Sequence, residues 1–361
     1  MEEVASTGDR RLVVAFDRVI GSENRVSPLA LDEEFDVQRI FFGTDRAQDG
    51  SDDKGPSFGA DWANALTLGH TDITIPKDAH RLGRVERPKN LRILRVILWQ
   101  QKEDPRKHFT VQETALHDEA TFLEFAGAEA QAAEAYANTA FVFVHGFNTT
   151  FGSAVFRAAQ LAHDLGFDGP AFAYSWPSIG ETEDYLRDVD SAENATPYMD
   201  AFLDLVFQTP GVEKVHLVAH SMGNAALAEL LTRSGTRLST RGKAIEQLVL
   251  AAPDLDAAKF DNIASYFTDA ARSVTLYACA SDRALLASQA IRGGFIRLGD
   301  VGADGPKIVP DVDSIDITAV GSDLFSLNHS TYAENRTLLD DLGALLLTGD
   351  RPPPRRMPTI K

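Results

Sequence analysis

The sequence predicts a doubly wound α/β fold with a mostly parallel sheet and helices on both of its faces. Two observations carry that expectation. Short, apolar-rich runs recur through the second half of the chain, and helix-compatible segments lie between several of them. Unbroken apolarity, rather than every-other-residue apolarity, marks strands whose sheet is covered on both faces. The runs are Ala140–Val144 (AFVFV), Pro170–Trp176, Val215–Ala219, Gln247–Ala252, Ser273–Cys279 and Ser314–Val320. The intervening helical segments are Ser153–Leu165, Tyr198–Phe207 and Asn224–Arg233, and Thr331–Leu347 closes the pattern. Strand, helix, strand, helix in this order pack as a sheet between two helical layers.

The first half is less regular. Strand-like runs occur at Val37–Gly43, Asp72–Pro76 and Leu91–Trp99, and the Ala- and Glu-rich stretch Glu119–Ala137 reads as a helix. Asp45–Gly59, rich in Asp, Gly and Ser, reads as a solvated loop. The expected organisation is an N-terminal extension over 1–60, partly flexible, then the α/β domain over 61–350, then a mobile tail over 351–361. The acidic stretch 177–200 suits a small cap over the substrate site, with Tyr185 and Trp176 placed to line an acyl pocket.

The chain has 361 residues, 44% hydrophobic and 24% charged, enough apolar material for a sizeable core. Its 35 basic against 53 acidic residues leave a net charge of −18, which repels nucleic-acid phosphates and anionic lipid surfaces. Cys279 is the single cysteine, so no intrachain disulfide forms. The start, MEEVASTGDRRLVVAF, lacks the basic and long apolar regions of a signal peptide. No stretch approaches the roughly 20 apolar residues of a membrane span. A cytoplasmic protein is the expectation; its oligomeric state is not legible.

The chemistry centres on VHLVAHSMGNAALAELL. An apolar strand runs into Ala219-His220-Ser221-Met222-Gly223 and a helix follows at once. That is the context of a G-x-S-x-G nucleophile elbow, with Ala219 in place of the first glycine. Small residues flank the serine because the turn brings strand and helix backbones together. Ser221 at a helix start also aims backbone N–H groups at charge forming on an acyl carbon. An N-capping serine is the purely structural alternative.

FVFVHGFNTTF, YSWPS, VHLVAHSMGN, AAPDLDAAKF and LYACASDRALLAS resemble a bacterial α/β-hydrolase family of unknown function within the esterase/lipase superfamily (DUF900-like). The resemblance spans roughly Phe41 to Leu347 if FFGTDRA and the strand before Pro76 are counted. It implies an α/β-hydrolase fold and serine chemistry, and says little of the substrate.

In this fold one oxyanion N–H follows the nucleophile, here Met222. The other comes from the turn after the third strand, His145-Gly146-Phe147-Asn148; the resemblance makes Phe147 that donor. The triad order is serine, acid, histidine, and of nine histidines only His329 follows Ser221. His329 is therefore the expected base, with Ser330 or Thr331 as N-cap of the last helix. The acid must emerge at a strand end beside it. Asp282, after the seventh strand, is preferred, and Asp254, after the sixth, is the alternative. His220 is expected to point away from the serine, and His145 to pack beneath the oxyanion loop.

No H-E-x-x-H, cysteine cluster or phosphate loop occurs, so neither a metal nor an organic cofactor is implied. The expected activity is a carboxylesterase working through an acyl-enzyme on a small-molecule acyl ester. An acyltransferase, amidase or thioesterase on the same triad is the first alternative. A non-catalytic binding scaffold is the second.

Overall fold

Nine strands form one sheet in the order β13-β10-β9-β8-β6-β7-β1-β2-β5 in the computed structural model, which describes residues 34–88, 90–93, 96–179, 184–233, 235–319 and 332–351. In chain order its strands are β1 (Phe35–Asp52), β2 (Gly55–Pro76), β5 (Thr110–His117), β6 (Thr139–Val144), β7 (Ala171–Ser175), β8 (Lys214–His220), β9 (Ile245–Ala251), β10 (Ala271–Ala278) and β13 (Val312–Asp316). Two small hairpins stand apart, β3 (Asn90–Ile93) with β4 (Val96–Gln100) and β11 (Val301–Gly302) with β12 (Gly305–Pro306). The helices are α1 (Glu119–Ala132), α2 (Phe151–Asp164), α3 (Tyr185–Asn194), α4 (Thr196–Gln208), α5 (Gly223–Thr232), α6 (Arg237–Thr240), α7 (Ala257–Ala270), α8 (Arg283–Ile291) and α9 (Tyr332–Thr348).

From β1 to β13 every neighbouring pair is parallel, and β2 and β5 add an antiparallel edge. Five of the six runs read as parallel strands fall on strands of this sheet, the sixth shares only Ser314–Asp316 with β13, and their apolarity has the expected cause. Val142, Val144, Leu248 and Leu250 enter a core with α1, α4, α5 and α7, whereas Phe141, Phe143, Val249 and Ala251 enter a second core with α2 and α9. Both faces are buried, so both sets of alternate positions are mostly apolar.

Three features of the first half differ from expectation. Asp45–Gly59 is not a loop: it holds the distal part of β1 and the start of β2, joined by a tight turn with Gly55 at φ +115°. Its polar composition records exposure, since Arg39–Arg46 are buried and the strand projects into solvent from Gln48 onward. Phe35–Asp52, assigned above to an extension, is thus a strand of the main sheet, and the boundary at 60/61 falls inside β2; residues 1–33 lie outside the described residues. Leu91–Trp99 is a hairpin rather than one strand, and the helix from Glu119 ends at Ala132.

The chain order places the site. From β6 the chain moves to β7 on one side, then crosses back through α3 and α4 to β8 on the other. The carboxyl ends of β6 and β8 therefore flank a topological switch point, where crevices form in open α/β sheets. Val144 pairs with Ala219 there, so the turn after each strand stands beside the other.

Candidate active site

Ser221 lies in the turn from β8 to α5 with φ +48°, in the left-handed region that a non-glycine residue enters only under constraint. The surrounding backbone supplies the constraint. Ser221 N–H donates to the Ala251 carbonyl at 2.9 Å, while its carbonyl accepts from the amides of Asn224 and Asp254, both at 3.1 Å. Asn224 Nδ2 donates to the Ala219 carbonyl at 2.9 Å, bracing the turn from inside. Ser221 is 7% exposed.

The glycines on each side have steric reasons. A Cβ on Gly223 would stand 2.5 Å from the His145 carbonyl oxygen and 2.9 Å from that of Val144. A Cβ on Gly146 would stand 2.8 Å from Ser221 Cβ. The two turns touch through these glycines, bringing Gly146-Phe147 against the serine. Among the described residues, neither the Phe147 nor the Met222 amide donates to an acceptor.

A buried polar network supports the Phe147 turn. His145 stacks on Trp176 with ring centroids 4.8 Å apart, and Trp176 Nε1 donates to the His145 carbonyl at 2.9 Å. Burial, reinforced by Arg46, holds the His145 imidazole down at about 3, so it stays neutral. Arg46, 1% exposed, donates to the carbonyls of Gly59, Ser178 and Thr149 at 2.7–2.9 Å and to Ser175 Oγ at 2.9 Å. Thr149 N–H donates to Ser178 Oγ at 3.1 Å, and that hydroxyl donates to Asp188. Burial lowers Arg46 to about 10, and raises Asp45 to about 6 even though Tyr174 donates to it. Arg46 lies in FFGTDRA, but its partners are up to 132 residues away, so only the pairing of β1 with β7 reveals the network.

One pocket assignment is corrected. Trp176 is fully buried beneath the loop and cannot line an acyl pocket; Met222, 1% exposed, likewise sends its side chain into the core. Tyr185 is nearer expectation: it opens α3 within 177–200 and meets Phe147 edge-on at 5.3 Å. Residues 180–183 lie outside the described residues.

The two acids have different surroundings. Asp254, 4% exposed, accepts from Ser288 Oγ at 2.5 Å on one oxygen and from Tyr185 OH at 2.8 Å on the other. Arg297 Nε stands 3.6 Å away, and Arg292 Nε donates to Tyr185 OH at 2.9 Å. No sequence motif announced Tyr185, Ser288, Arg292 and Arg297 as a group. Asp282 follows β10, half-buried, and accepts from the Leu285 amide at the start of α8. Burial pushes His220 down to about 4, with Asp282 opposing the shift and Arg157 adding to it. His329, with Ser330 and Thr331, lies outside the described residues.

A family profile described as "Alpha/beta hydrolase of unknown function (DUF900)" matches residues 129–350, more than half of the chain. The chain belongs to this α/β-hydrolase family. No curated protein matches the hydrolase. Among solved structures it is similar to a protein described as a cell surface hydrolase from Lactobacillus plantarum WCFS1. That pair has 14% identity and a TM-score of 0.35, covering 59% of this chain and 93% of the other. It is also similar to an esterase from Pyrobaculum calidifontis, with 10% identity, a TM-score of 0.34 and coverage of 87% and 85%. Among the described residues no helix is long and apolar enough to cross a membrane.

Proposed function

We propose that this hydrolase is a serine carboxylesterase that cleaves small-molecule esters through an acyl-enzyme. The observation that carries the reading is the backbone of Ser221, held at φ +48° between strand and helix with Gly146 packed against it. A nucleophile elbow needs that conformation to lift the hydroxyl clear of the turn, and a capping serine does not.

Ser221 attacks the acyl carbon while His329 takes its proton. The Phe147 and Met222 amides receive the negative charge on the carbonyl oxygen. His329 then protonates the leaving alcohol, and next activates water to hydrolyse the acyl-serine. Asp282 is the acid that orients His329 and stabilises its cation. Its place directly after β10, half-buried at the start of α8, supports that choice. Asp254 is the less suited alternative because both of its oxygens already accept hydrogen bonds.

A fluorophosphonate probe tests the reading on wild type and Ser221→Ala, followed by p-nitrophenyl esters of increasing chain length. The expected result is labelling and turnover in the wild type and neither in the variant. A folded wild type that resists the probe and hydrolyses no ester removes Ser221 as nucleophile and leaves a binding scaffold.

A further inference from the structure

At the other end of α2 from the Phe147 turn, three side chains turn their donor atoms toward one point. His80, in the segment after β2, brings Nε2 to 2.6 Å from Asp164 Oδ1. His163 brings Nδ1 to 3.5 Å from the same oxygen, and the two imidazole rings stand nearly perpendicular with centroids 5.4 Å apart. All three ligand atoms lie within 4.8 Å of one another.

The outer contacts orient each of them. His80 Nδ1 meets Glu86 Oε2 at 2.9 Å, and His163 Nε2 meets Asp36 Oδ2 at 3.4 Å. Each histidine thus has a carboxylate on its far nitrogen, the arrangement that fixes the tautomer of metal-bound histidines and directs the other lone pair inward. Asp164 Oδ2 accepts from the Gly83 amide at 2.6 Å and from Gln160 Nε2 at 2.7 Å, which leaves Oδ1 for the common point. Asp164 is wholly buried at its side chain. His163 Nδ1 is buried without a hydrogen bond, 3.5 Å from the Asp164 oxygen, a spacing that one ion can bridge.

We infer that His80, His163 and Asp164 form a binding site for a divalent transition-metal ion of the zinc class. Two imidazoles and one carboxylate suit that class, at roughly 2.0–2.2 Å per bond. In a tetrahedral shell ligand atoms lie roughly 3.3 Å apart, so the 3.5 Å pair already fits and the 2.6 Å pair must open by about 0.7 Å. The ion takes the place of the proton between His80 and Asp164, which leaves to solvent.

The role is structural. α2 has 14 residues, about 21 Å at 1.5 Å per residue, which separates this point from the oxyanion loop. The ion would tie the segment after β2 to the end of α2, with Asp36 at the start of β1 in the outer shell. A second cluster, His70, Asp72 and Glu113, is a poorer fit, because Arg39 already donates two 2.7 Å hydrogen bonds to Asp72.

Untagged full-length protein, stripped with a chelator and dialysed, is titrated calorimetrically with Zn²⁺ and optically with Co²⁺. The expected result is one ion per chain at micromolar affinity or tighter, Co²⁺ ligand-field bands, and a Tm raised by Zn²⁺. His163→Ala, at a half-exposed position, should weaken binding at least 100-fold and abolish the Tm rise while the metal-free Tm is kept. Asp36→Asn, on the exposed outer shell, should weaken binding about tenfold. A wild type that takes up no ion overturns the inference, as does unchanged uptake in both variants.

Discussion

Replacing Gly146 by alanine tests the seam between the two turns directly. Its φ is not positive, so alanine meets no backbone penalty there and the effect is steric. The added Cβ would stand 2.8 Å from Ser221 Cβ, 3.0 Å from His220 Nδ1 and 3.1 Å from the His220 carbonyl oxygen. Carbon atoms rest at roughly 3.5–4.0 Å, so the turns must separate by about 0.7 Å or more. Oxyanion donors act over a window of only about 0.4 Å, and a displacement of about 1 Å costs on the order of a hundredfold in rate. The expected kcat/KM for p-nitrophenyl acetate is therefore about 100-fold below wild type, or roughly 2.7 kcal/mol of transition-state stabilisation. Overpacking should cost about 1–3 kcal/mol of stability, read from urea denaturation. Gly152→Ala is the control, because its Cβ meets nothing nearer than 3.9 Å, and its kinetics should not change. A folded Gly146→Ala enzyme within threefold of wild type would refute the placement of the Phe147 amide.

The two acids separate by kind of damage. Asp282→Asn should lower kcat by on the order of 10⁴ with native stability. Asp254→Asn should retain activity within tenfold yet lose about 3 kcal/mol, since buried Arg297 loses its counter-charge; the reverse pattern would exchange their roles. Several buried histidines weaken the fold in acid, among them His216 on β8, held down to about 4 by burial and then by Lys214. Its folded pKa lies below the unfolded value of about 6.5, so only the unfolded chain takes up the proton between those limits. The effect on stability is small above about pH 6.5 and grows as pH falls toward 4, reaching about 2.5 kcal/mol near pH 4.5. His216→Leu should gain that amount relative to wild type between pH 7.5 and 4.5, and parallel urea midpoints at both pH values would refute it.

The parallel strands and the elbow were legible because each is written locally, as an apolar run or as small residues around one serine. Features that depend on distant partners were not. Arg46 lay within a recognised segment, yet its ligands Ser175, Ser178 and Thr149 come from other elements. Asp254 and Asp282 look alike in sequence, since both follow apolar strands. Only the Tyr185 and Ser288 hydroxyls distinguish Asp254. Trp176 reads as a pocket wall, but neighbouring the site in sequence does not mean facing it. Polar composition misread the arms of β1 and β2, since exposed antiparallel strands need no apolar face.

The family match begins at residue 129, beyond β1, β2 and β5. A fragment trimmed to that match would leave β7, buried along its whole length, as the outermost strand. Its unpaired amides and carbonyls would offer a template for other chains, the hazard that natural edge strands avoid with charge, bulges or short length. In the intact chain β1 covers that edge, and its hairpin with β2 moves the boundary outward to β5, where Gln112 and Glu113 lie exposed. The N-terminal hairpin thus keeps the sheet from growing into aggregates, a duty that no assay of catalysis on the intact protein would report.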